Sequence, residues 1–450
     1  MDPVEAELPY PPRFRWLTRG IVIGLIALAL LVALRIWWGH VAHQRLDVLI
    51  NDVHARGGKI LIRDYQPAPV AEDQNAAVPL RSAFAGIVQV PGESDWLFDA
   101  EAALTSKDKQ MMGQILRENA KAIELVREAQ KRPKVDWGVR LTTPMMSVIL
   151  NHLNMVRRLA ILNEYGVYYE HAQANDAAAL RHASDILFLS RSLDAQPAFL
   201  ISHLVSAGVE AMAARSLVRI APDLRVEDEA TRQQLREIIA QLLDEKRLRQ
   251  GMRQAWDGEQ AAALDNIPFF ARQQLSRPVA EVFMPMFILD GVRAARDMEA
   301  GANALEQSDF VAAKAVKLPV RSGVNYPMLL TATRLTSGFL ATAPTKSMMN
   351  RQFTQLAEKR GAAIALAIRL YAIDHQGKLP QNLEELAPKY LPELPTDPFT
   401  SGSSFIYLPR HMEPVLYSVG NNGRDDGGTR SAGQSPDIVF PLHPTTRRSE

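Results

Sequence analysis

The most decisive pattern in the chain is a run without polar interruption: Gly20 to Leu34, GIVIGLIALALLVAL. With Trp16-Leu17 before it and Ile36-Trp37-Trp38 after it, the apolar stretch reaches about 23 residues, enough to cross a hydrocarbon layer of about 30 Å. Arg35 near its end can snorkel to headgroups, and Trp16, Trp37 and Trp38 stand where interfacial aromatics belong. Arg13, Arg15 and Arg19 precede the run. By the positive-inside rule they keep the N-terminus cytoplasmic and send the rest of the chain outside. The rival reading is a cleaved signal peptide. The sequence that follows, RIWWGHVAHQRL, has no small-x-small site, so an uncleaved anchor is expected.

Beyond the run, the periodicity is helical for most of the chain. Leu46 to Arg56 reads as a short juxtamembrane helix stopped by Gly57-Gly58, followed by an extended, proline-punctuated strap and a helix from near Asn75. Ile149, Leu153, Val156 and Ala160 recur at steps of three and four, and Leu180, Ala183, Ile186, Leu187 and Leu193 repeat the pattern. Similar stripes span 198–220 and 227–250. Breaks such as DAQP and APDLRVED join them into a bundle or an array of helical hairpins without a fixed repeat. Phe283, Met284, Met286 and Phe287 read as core under a proline-kinked helix, with a sticky groove for a partner as the alternative. MLLTATRLTSGFLATA, 328–343, is interrupted by Arg334 and hydroxyls and is not a second span.

After Thr345 the pattern changes. One long helix carries Ile364, Ala367, Ile368 and Tyr371 on one side. Gly377 ends it and Pro380 prevents resumption. A short helix and a proline-rich turn follow. SSFIYLP, PVLYSVG and DIVFPL then read as three short strands. The expected fold is mainly α, with cytoplasmic residues 1–19, a transmembrane anchor at 20–38, and a juxtamembrane helix and connector at 39–106. A helical domain at 107–343 and a small α+β lobe at 344–450 complete it.

Composition narrows the chemistry. Lys plus Arg number 51 and Asp plus Glu 50, so there is no basic face for nucleic acid. Cysteine is absent, which excludes disulfides, thiol nucleophiles and thiolate metal sites. His152, His171, His182 and His203 are not spaced as ligand pairs on adjacent helical turns, and they read as surface or capping residues. Glu164 and Glu170 read as surface carboxylates. No catalytic residue is assigned.

The loop YSVGNNGRDDGG, Tyr417 to Gly428, is dense in glycine, Asn and Asp, and has almost nothing to bury. Asn422, Asp425, Asp426 and Asp437 are oxygen donors of the kind calcium takes, and the glycines permit the positive φ angles that turn carbonyls inward. A solvated pair of Asn-Gly and Asp-Gly turns is the alternative.

In the order of these pieces the C-terminal region resembles the globular domain of the type II secretion system major pseudopilin. The matching positions are Leu370-Tyr371, Gly377 to Pro380, Asp397-Pro398-Phe399, Tyr417 to Gly420, Asn422-Gly423, Gly427-Gly428 and Asp437-Ile438. The resemblance implies a calcium loop on a small antiparallel sheet. Asn422 stands where the family has Asp, and most of the chain separates the membrane run from the pseudopilin-like helix. The functional expectation is a membrane-anchored envelope protein with a scaffolding or protein-interaction role, linked to secretion machinery. The alternative is a membrane-tethered extracytoplasmic hydrolase built from helical Glu, His and Arg residues. Expected partners are the inner membrane and an envelope protein.

Overall fold

A computed structural model of the chain describes residues 15–65, 68–88, 104–194, 199–318, 343–409, 413–428 and 437–443. Arg13 and most of 328–343, Arg334 included, lie outside them. The protein is mainly helical (71%), with one long apolar N-terminal helix and a small three-stranded antiparallel sheet at the C-terminal end.

Helix α1 runs unbroken from Arg15 to Ala55, 41 residues, or about 60 Å at 1.5 Å per residue. The sequence led us to expect a separate helix from Leu46. Instead the anchor and the juxtamembrane helix are one element. Between Trp38 and Leu46 the weakest helix former is Gly39, and a lone glycine costs about 1 kcal/mol, too little to break a helix held at its far end. That end is held: Ala42, Leu49 and Val53 are buried with Ile60 against Ile288, Val292 and Ala295. Gly57, at φ 74°, then terminates the helix.

The body is a succession of packed helices. α2 (Ala77–Ala85) packs on α4 (Ala120–Gln130) and α5 (Asn151–Ala172), and α3 (Ser106–Glu118) packs on α5. α5, α6 (Asp176–Asp194) and α7 (Leu200–Ile220) form consecutive hairpins around Val156, Leu159, Leu180, Ile186 and Leu217, all fully or almost fully buried. Polar side chains fix where helices begin. Thr105 and Asp108 form a capping box at α3, and Asp228 and Asp244 cap α8 (Glu229–Leu242) and α9 (Glu245–Asp265). α10 (Ile267–Gln274) turns into α11 (Arg277–Leu305), which passes through Pro285 and lies between α1 and α9. A small core of Ala271, Ala280 and Phe287, with Phe283, Met284 and Met286 half-buried around it, joins α10 to α11. Of the two readings, packing therefore accounts for these aromatics and methionines.

α12 (Phe310–Ala315) precedes the long helix α13 (Ala343–Asp374). α13 packs on α7 and α8, and its residues Phe353, Ile364 and Leu366 belong to the same continuous core as Leu159 and Leu217. On its other side lie strands β1 (Ile406–Leu408), β2 (Val415–Ser418) and β3 (Ile438–Pro441), in that order and antiparallel. Leu416 pairs with Phe440, and Tyr417 lies between Ile406 and Val439. Phe440 is received by Gly361, where an added Cβ would lie 2.1 Å from the ring, so only glycine admits this strand. Asp397 ties the turn before the sheet. One carboxylate oxygen accepts from Phe399 N and the Ser418 hydroxyl, and the other accepts from Val419 N. Phe399 stacks edge-on against Phe310, which meets Phe353 in turn.

Candidate functional site

The loop 420–428 begins as a single 3-10 turn after β2 and bends at Gly423, Gly427 and Gly428, all at positive φ. Asn422 accepts from Arg424 N at 2.8 Å and donates to the Asp426 carboxylate at 2.9 Å. Asp437 Oδ2, arriving at the start of β3, accepts from Asp426 N at 3.1 Å and Gly428 N at 2.9 Å. Asp425 turns the other way: its Oδ1 accepts the Tyr417 hydroxyl and Gly427 N, both at 2.9 Å. Asn422, Asp426 and Asp437 are thus brought together around one turn, and Asp425 lies to its side. Burial, with Asp426 and Asp425 close by, raises the Asp437 carboxyl above its usual range. Among the described residues no three His, Cys, Asp or Glu side chains are grouped as metal ligands.

A second cluster lies where α7, α9 and α13 meet. Glu210, buried, accepts from Lys359 Nζ at 3.0 Å, from Gln355 Nε2 at 3.1 Å and from the Arg247 guanidinium. The Lys359 side chain has no exposed surface at all. Arg247 also pairs with Asp194 at the end of α6. Burial alone would raise the Glu210 carboxyl. The Lys359 ammonium and Arg247 guanidinium outweigh it and hold the group below the usual range. Beside the cluster stands His203. Neither ring nitrogen has a hydrogen-bond partner among the described residues, and burial, reinforced by Arg247, brings its pKa down to about 4.

The histidines correct the surface reading. His152 is buried and stacked on Trp137 at 5.4 Å, and burial lowers its pKa to about 4. His182 is buried against Asn163, with Nδ1 to Oδ1 at 2.8 Å, and burial lowers its pKa to about 3. His171 sits between Asp176, at 2.5 Å, and Asp223, at 3.1 Å. Burial would lower it, but hydrogen bonds to those two carboxylates win and push it up to about 9. Glu164, half-buried, accepts from the Tyr168 and Ser216 hydroxyls, and Glu170 accepts from Asn175.

The sequence reading passed over Glu210, Arg247 and Lys359, and it took the buried His203 for a surface or capping residue. A signal was present. Lys359 lies three residues from Leu356 and four from Ala363, inside the apolar stripe of α13, and Glu210 occupies the same kind of position on α7, near Ala213 and Ala214. A charge on an apolar stripe at helical spacing implies a buried partner.

No protein-family model, curated protein or solved structure matches the chain.

Proposed function

We propose that the chain is a membrane-anchored envelope protein, with its N-terminus in the cytoplasm and its body outside the inner membrane. Its work is scaffolding or protein interaction, linked to secretion machinery through the pseudopilin-like lobe. One observation carries the reading: among the described residues the first half of α1 exposes Ile21, Leu25, Leu28, Leu31 and Leu34 without a packing partner, while the second half is fixed to α11. A helix exposing that much apolar surface is stable in lipid and costly in water. The chain has no native cysteine, so single cysteines placed at exposed body positions can carry photo-cross-linkers in living cells. One reproducible adduct with a distinct envelope protein is expected. Recovery of the uncoupled chain alone from every position would contradict the interaction role.

Calcium belongs to the proposal through Asn422, Asp426 and Asp437, with Asp425 joining after it leaves the Tyr417 hydroxyl. The supporting feature is the Asp437 carboxyl, raised in part by the nearby Asp426 and Asp425, where a cation would relieve the repulsion. Adding calcium to the chelator-treated chain is expected to raise its melting temperature. An unchanged melting curve would leave the loop closed by its hydrogen bonds alone.

The alternative, a membrane-tethered hydrolase, draws on the convergence of Glu210, Arg247, Asp194 and His203. The full burial of Lys359 in that cluster favours a structural tie over an open site. Turnover of peptide or glycan substrates that disappears in His203→Ala would reverse this preference.

A further inference from the structure

α1 and α11 run side by side in the same direction. The Arg35 guanidinium donates to the Glu281 carbonyl at 2.6 Å, and Arg56 pairs with Glu299 at 2.8 Å, so contacts advance in step along both helices. The Arg35 side chain reaches along α1 to Gly39, where an added Cβ would lie 2.9 Å from Nη1. It therefore points out of the apolar span, as a snorkelling arginine does. Glu281 stands at the outer rim of that span. The turn at Leu275-Ser276 and the start of α11 at Arg277 lie roughly one helical turn farther toward the apolar run, about 6 Å. The tip of the α10–α11 hairpin is thus level with Arg35 to Trp38.

The tip is dressed for that position. Val279 and Val282, in the first turns of α11, are exposed. Pro278, in the first turn of α11, is also exposed. Arg272 and Arg277 are exposed at the same end, with Glu281, paired to Arg272, as the nearby carboxylate. Apolar side chains flanked by cations suit the boundary between acyl chains and anionic headgroups.

We propose that the tip of the α10–α11 hairpin inserts into the outer-leaflet interface beside α1, giving the body a second contact with the lipid bilayer. This rests on the reading of α1 as a retained anchor. Two contacts restrict the tilt and rotation of the body over the membrane, where a single helix would leave it free to swivel.

Three full-length variants test it, each with one cysteine carrying a nitrobenzoxadiazole probe: Val279→Cys at the tip, Leu30→Cys in the middle of the span and Val311→Cys on α12. They are reconstituted in vesicles of phosphatidylcholine and phosphatidylglycerol containing brominated lipids. The tip probe is expected to lose intensity more to lipids brominated near the headgroup than to those brominated near the chain end. Leu30→Cys is expected to show the opposite order, and Val311→Cys no loss. Quenching at position 30 without quenching at 279 overturns the tip contact and leaves the anchor standing, as does shielding of 279 that arises only on adding cell extract. Absence of quenching at both overturns the anchor and the tip together.

Discussion

Replacing Glu210 with alanine is expected to destabilise the protein by about 3–5 kcal/mol, because it strands a buried cation. Lys359 has no exposed side-chain surface, and Glu210 is the carboxylate it pairs with. The Asp244 carbonyl, at 3.4 Å, is a weak substitute. Arg247 would keep Asp194, so the loss falls on Lys359. The charge, rather than the volume, is the cause, and a paired change separates the two. Glu210→Leu combined with Lys359→Met should recover most of the stability, since replacing a buried ion pair by apolar groups is often neutral. Chemical unfolding of the full chain in mild detergent reads both. A loss under about 1 kcal/mol for Glu210→Ala would place the pair in the surface class and remove it as a tie. The cluster joins α7 and α9 to α13, so its loss should loosen the C-terminal lobe and the helical body together.

The second large effect is on the alkaline side of neutrality. His171 has a folded pKa of about 9, against an ordinary value near 6.5. The folded state therefore holds the proton more tightly than the unfolded chain. The stabilisation is complete below pH 6.5 and is lost as pH rises toward 9, about 3 kcal/mol in all. Asp185 and Asp257, which burial raises to about 6, finish titrating near pH 7, so above that pH the slope belongs to His171. His171→Gln is expected to flatten the slope of stability against pH between these limits. An unchanged slope in the variant would mean that another group carries it. On the acid side, His152, His182 and His203 act in the opposite sense. Their folded values, about 4, about 3 and about 4, lie below the unfolded one, so stability is lost as pH falls from 6.5. Asp185 and Asp257 partly offset that loss by taking up protons in the folded state.

Much of the fold was legible because its signals are local. The stripes of Leu153, Val156 and Ala160 and of Leu180, Ala183 and Leu187 place α5 and α6, and both now lie in the core. The three strands fall where β-branched and aromatic residues alternate, within SSFIYLP, PVLYSVG and DIVFPL. Helix continuity through Gly39 was not legible, because it depends on a distant partner, α11. The histidines were misread for a related reason. Helical spacing tests whether two ligands share a face, but burial of His152 or His182 is decided by Trp137 and Asn163 on other elements. Glu210 and Lys359 are far apart in sequence, and nothing but the fold brings them together. In the loop, sequence located the carboxylates. The direction of each side chain, Asp425 toward Tyr417 and Asp437 toward the amides of Asp426 and Gly428, depends on the pairing of β2 with β3.

Everything proposed about location depends on α1 remaining attached as a lipid-spanning helix. Alkaline carbonate extraction of cell membranes, followed by the intact mass of the recovered chain, tests this most directly. The expected result is a chain that stays in the membrane pellet with its first 38 residues still present. Release of a soluble body whose sequence begins beyond Trp38 would contradict it.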